Sequence, residues 1–230
     1  MTNHDDHALS LVHDLRTSLE SFAGCPICHV LQSKLLRYIE AINNEAVNEP
    51  DFRRTFMRQE GFCHRHAWQW QKHAFLLGTA SLYHELLEHL PNIEHIHTPP
   101  HHSRWTLFRD QPADNDDRPC PLCSWTTLTE HDLIEAFMDG LHDPSFVARY
   151  ESHVGLCRPH LALVMGDELS EEERAILSNR EEKTRHMLRA QLAEIIRKHD
   201  YRYSHEQPGD EVGAAERAIA HIVGERDAII

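Results

Sequence analysis

Six cysteines and two histidines of this 230-residue chain fall in two copies of one phrase, and their types and spacing suit them to hold metal. The first copy reads Cys25-Pro26-Ile27-Cys28 and later Gly61-Phe62-Cys63-His64-Arg65-His66. The second reads Cys120-Pro121-Leu122-Cys123 and later Gly155-Leu156-Cys157-Arg158-Pro159-His160. Cys28 and Cys63 are separated by 34 residues, Cys123 and Cys157 by 33. Three thiolates and an imidazole are a standard ligand set for tetrahedral zinc, with no position left open. The same donors can hold an iron–sulfur cluster. In a reducing compartment, patterned cysteines read as ligands before they read as disulfides.

The spacing has a geometric reason. Proline inside Cys-Pro-x-Cys suits the first turn of a helix, where free N–H groups stabilise thiolate charge. In Cys-x-x-His the two ligands share one helix face. The expectation is one ion per copy. Cys25, Cys28, Cys63 and His66 would form the first site, and Cys120, Cys123, Cys157 and His160 the second, each pinning two helix starts across a hairpin.

Other readings of these letters are weaker. Cys25 to His29 matches covalent haem attachment, but the twin ends in Ser124. Thiol–disulfide exchange calls for a βαβ context that a helical pattern does not supply. Glu40 and Glu135, each 12 residues past a second ligand cysteine, read as partners of the histidine ligands or as helical salt bridges kept from duplication. His84 and His89 are five apart, not the four of a zincin motif. His95, His97, His101 and His102 cluster where a histidine-rich tract could bind metal loosely. One of Trp68 and Trp70 is expected to pack over the first Cys-x-x-His. No residue is assigned a catalytic role: no Ser or Cys sits in an activating motif, and phosphate-cradling glycine loops are absent.

The positioning elements are helices, and the expected class is all-α. Leu11, Leu15, Leu19 and Phe22 form a helical stripe that Gly24 stops. Each Cys-Pro-x-Cys opens a long helix, followed by a short helix (52 to 60, 146 to 154), a glycine, and a third helix opening at Cys-x-x-His. The copies align between these points as well: Ile39-Glu40-Ala41 matches Ile134-Glu135-Ala136, and Pro50, Phe52 and Phe56 match Pro144, Phe146 and Tyr150. Duplication within the gene explains this agreement. Ser170 and Glu173 form a capping box for a long helix carrying Ile176, Leu177, Leu188, Leu192, Ile195 and Ile196, ended by Gln207-Pro208-Gly209-Asp210. A short helix closes the chain near Gly224. The organisation expected is an N-terminal helix with the first repeat (1–90), a His/Pro/Asp-rich linker (91–119), the second repeat (120–166) and C-terminal helices packing on the repeats (167–230).

A net charge of -14 argues against a nucleic-acid partner held by phosphate neutralisation. Charged residues make up 26% and mean hydropathy is -0.55, and no apolar run is long enough to span a bilayer. The first twelve residues lack a secretory pattern, so the expected location is cytoplasmic.

The paired Cys-Pro-x-Cys and Gly-x-Cys-x-x-His phrases, with Lys198-His199-Asp200-Tyr201-Arg202-Tyr203 and Gln207-Pro208-Gly209-Asp210-Glu211, resemble an uncharacterised family of bacterial cytosolic proteins, a domain of unknown function. The resemblance runs from about residue 20 to 224 and implies that the Lys-His-Asp-Tyr-Arg stretch belongs to the same module as the repeats. It carries no activity. The expected function is a non-enzymatic helical module holding two structural zinc ions and binding a protein or small ligand, with homo-oligomers possible. The alternatives are a redox or sensor protein with two iron–sulfur clusters, and a metal-handling protein that uses the histidine-rich linker.

Overall fold

The computed structural model describes residues 2–90, 120–203 and 205–226, with side chains from residue 7 onward. The linker 91–119, with His95, His97, His101 and His102, lies outside them. The described residues form ten α-helices and no strand, so the all-α expectation holds. Helix α1 (Thr2–Ser21) precedes α2 (Pro26–Ala41), α3 (Pro50–Arg58), α4 (His64–His73) and α5 (Leu76–His89). After the linker come α6 (Pro121–Leu141), α7 (Pro144–Ser152), α8 (Arg158–Met165), α9 (Glu171–Lys198) and α10 (Ala214–Val223).

Proline sets several of the starts. Pro26 opens α2, Pro121 opens α6, and Pro50 and Pro144 open the short α3 and α7, where a missing N–H and a helical φ cost nothing. One π-helical turn, Ile42–Ala46, extends α2, so that Pro26 to Ala46 equals the 21 residues of α6. The third expected helix of the first copy is two. It breaks at Ala74 and Phe75, where buried Asn43 accepts the Phe75 N–H through Oδ1 at 3.1 Å. The copies therefore correspond over four helices, α2 to α5 and α6 to the start of α9, with Leu82 and Leu177 fully buried at equivalent places.

The chain divides into two compact units, residues 1–34 with 128–230, and residues 35–127. In the first, Leu11, Leu15 and Leu19 of α1 share a core with Ile27 and Leu31 of α2, Leu133 and Phe137 of α6, Phe146 and Tyr150 of α7, Val164 of α8 and Leu177 of α9. Phe137 meets Phe146 and Tyr150 edge-on at 5.5 and 5.4 Å between centroids, an arrangement aromatic quadrupoles favour. In the second unit Phe56 plays the part of Tyr150, packed against Phe62 and Tyr83.

The long C-terminal helix ends eight residues earlier than the Gln-Pro-Gly-Asp signal implies. α9 stops at Lys198, and the following turns fold back onto it. Lys198 Nζ reaches the Gln207 carbonyl and Glu211 (2.7 and 2.8 Å), and Arg197 pairs with Glu194 and Glu206 while lying over the Tyr203 ring. Arg197 and Lys198 are thus both paired within the fold. These ion pairs outcompete continuation of the helix.

Candidate metal centres

All four ligand-bearing segments sit at helix N-termini. The carbonyls of Cys25, Cys63, Cys120 and Cys157 each accept the N–H four residues on, at 2.8 to 3.1 Å. Cys63 and Cys157 hold the same extended backbone before their helices, with φ -61 and ψ 164 against φ -67 and ψ 158. The turn entering each Cys-x-x-His helix requires the preceding glycine: Gly61 and Gly155 lie at φ +93 and +87, a region that side chains resist.

The eight residues gather into two groups, but the partners are exchanged. Cys25 and Cys28 meet Cys157 and His160; Cys63 and His66 meet Cys120 and Cys123. The one-ion-per-copy expectation is therefore corrected: each Cys-Pro-x-Cys joins the other copy's Cys-x-x-His. Helix length is the reason. At about 1.5 Å per residue, α6 leads the chain roughly 31 Å from its cysteines and the nine-residue α7 returns only about 13 Å. In the first copy, the residues after α3 are wound onto that helix by Glu60 N–H to Met57 O and Gly61 N–H to Phe56 O, and add little reach.

In each group the four donor atoms lie within 4.8 Å of one another, so one ion could be shared. In the first, His160 Nδ1 lies 3.4, 3.3 and 3.2 Å from the sulfurs of Cys25, Cys28 and Cys157, and Cys28 lies 3.7 Å from Cys157. In the second, His66 Nδ1 lies 3.3, 3.6 and 3.3 Å from Cys63, Cys120 and Cys123, and Cys63 lies 3.7 Å from Cys123. Each group faces two helix N-termini, whose dipoles favour negative charge there.

The thiols cannot all ionise unaided. In the first group hydrogen bonds from Cys25 and Cys28 take Cys157 down to about 4, while the hydrogen bond with Cys157, then that with Cys25 and burial, push Cys28 up. In the second, burial raises Cys120, and burial with the charge of Cys120 raises Cys123 to about 12. A cation among them removes this conflict, because metal binding displaces the thiol protons.

The histidines differ. Burial opposes a charge on His160, but its hydrogen bonds to Cys25 and Glu130 lift it to about 9; its Nε2–H donates to Glu130 Oε1 at 3.0 Å. That carboxylate orients the ring with Nδ1 toward the sulfurs, the usual arrangement behind a metal-bound histidine. Buried His66 has no partner at Nε2 among the described residues, and burial, with Arg65 nearby, lowers it to about 4. Glu130 was not singled out from sequence. The available signal was helical register, since Glu130 falls seven residues, two turns, after Cys123 on α6. Glu40 and Glu135 are exposed instead, Glu135 in a surface group with His131 and Asp132.

Other candidates are committed elsewhere. His29 stacks on Phe22 and shares a 2.9 Å hydrogen bond with Ser18, which leaves the haem pattern without its ligand. His84 lies exposed beside Glu88, and His89 bonds the Glu85 carbonyl while Glu85 pairs with Arg53. Trp70 is the buried tryptophan, bonded to Thr79 and packed on Phe62, and Trp68 is exposed. No helix among the described residues is long and apolar enough to cross a membrane.

No curated protein and no solved structure matches the chain. One family model, described as a family of unknown function (DUF6062), matches residues 12–229, a span that takes in all eight cysteine and histidine ligand candidates. The chain belongs to that family.

Proposed function

We propose that the protein is a non-enzymatic helical zinc module, in which two mononuclear Cys3His ions tie helix starts together and the scaffold so held binds a protein or small ligand. The observation that carries this reading is the donor spacing. A tetrahedral ion about 2.3 Å from sulfur and 2.0 Å from nitrogen sets sulfurs about 3.8 Å apart and sulfur to nitrogen about 3.5 Å. The sulfur pairs at 3.7 Å and the sulfur–nitrogen distances of 3.2 to 3.6 Å agree. An iron–sulfur cluster interposes several irons and sulfides between its ligands and needs thiolates further apart than four donors around one ion.

The test is metal analysis with an absorption spectrum on untagged protein purified without oxygen. Two zinc ions per chain and no visible absorbance are expected. Iron with sulfide and a broad visible band would replace this reading with a redox or sensor protein.

Paired substitutions check the exchanged ligands. Cys25→Ser with Cys157→Ser should cost one ion, because both belong to one group. Cys25→Ser with Cys63→Ser should cost both. The reverse result would restore one site per copy.

A further inference from the structure

The two groups share a ligand set and differ in what surrounds it. All four residues of the first are buried, and its three cysteines belong to the continuous apolar core of their unit. In the second, Cys63 and Cys123 are partly exposed. Behind the first stands Glu130, its side chain 17% exposed, accepting from His160 Nε2. Behind the second, His66 Nε2 is buried with no hydrogen-bond partner among the described residues. In the repeat alignment Glu130 corresponds to Leu35, seven residues past Cys28 as Glu130 is past Cys123, and Leu35 is buried and offers no acceptor.

We infer that the first site holds a permanent ion and the second an exchangeable one, whose occupancy follows the free metal concentration. The inference rests on the two-ion reading above. Two physical effects act in the same direction. A carboxylate behind a histidine ligand fixes its tautomer and raises its basicity, and loss of such a partner typically costs 10- to 100-fold in metal affinity. Release to a chelator also proceeds through a partly dissociated site that an incoming ligand must reach. The partly exposed Cys63 and Cys123 give that access, whereas the buried cysteines of the first group withhold it. The second site is thus the one through which the protein can take up, yield or sense zinc while the first keeps its unit folded.

The experiment loads the full chain with zinc, confirms two ions by metal analysis, and follows release at fixed pH to the chromophoric chelator 4-(2-pyridylazo)resorcinol. Two phases of one ion each are expected, with rates at least about tenfold apart. Cys63→Ser and Cys123→Ser should each remove the fast phase and leave the slow one. Glu130→Gln, which keeps shape and removes charge, and Glu130→Leu, which copies the other site, should both start with two ions and speed the slow phase by about 10- to 100-fold. Two ions leaving in one phase, or a slow phase indifferent to both Glu130 variants, would overturn the inference and leave the zinc reading standing. Protein that takes up no zinc at all would overturn both.

Discussion

A metal ligand is defined by more than its own side chain. His66 and His160 occupy the same place in the repeat and present the same Nδ1 to three sulfurs, yet the atom behind the ring separates them: a carboxylate in one case and, among the described residues, no partner in the other. The same dependence on neighbours governs the glycines that turn the chain into each Cys-x-x-His helix. At Gly155 a Cβ would lie 3.0 Å from Arg180 Cγ, and φ of +87 is already costly for any side chain. Gly155→Ala should therefore destabilise the protein by about 1–3 kcal/mol, the usual cost of a residue held in a sparsely populated backbone region. Urea denaturation with zinc present would measure it; an unchanged midpoint would show that Arg180 and the backbone yield freely.

At the scale of elements, helix ends carry most of the information. The Ser170–Glu173 capping box forms as the spacing implies and starts α9. The other end of α9 is decided by charge. Lys198, and then the Gly209 N–H, hold the Glu211 carboxylate down to about 2 against an ordinary 4.5. Because the folded value is depressed, this pairing stabilises the fold fully above pH 4.5 and is lost as pH falls toward 2. Glu211→Gln should remain folded at neutral pH and show a flatter acid dependence across that window than the parent chain. Both proteins would be followed by circular dichroism in one acid series, so that loss of metal is common to the two. Identical slopes would mean that Glu211 does not anchor the turn.

At the scale of the molecule, each compact unit encloses one complete ligand group, and neither group is contributed by one repeat alone. On the proposed two-ion reading, bound ions contribute to folding by mass action. At free metal a thousandfold above its Kd, an ion adds about 4 kcal/mol, which for a domain of this size corresponds to roughly 8–16 °C in Tm. Stripping zinc with a strong chelator should lower the melting temperature by at least this amount and reduce helicity, and readdition should restore both. A melt indifferent to chelation would make the cysteine groups ordinary packing.

Much of this was legible in the sequence, because it depends on local chemistry. Helical period, proline at helix starts and capping residues act over a few positions, so the all-α class and the start of α9 follow directly. The eight residues with donor chemistry follow from a repeated spacing. Three matters were settled only by tertiary structure. Which Cys-Pro-x-Cys meets which Cys-x-x-His depends on how far α3 and α7 return along α2 and α6, a comparison of helix lengths that ligand counting ignores. The choice of Glu130 over Glu40 and Glu135 depends on which face of α6 the incoming His160 ring approaches. The end of α9 depends on Glu206 and Glu211 returning to Arg197 and Lys198 from several residues away. A repeated motif names the donors, and the path of the chain between motifs decides which of them meet.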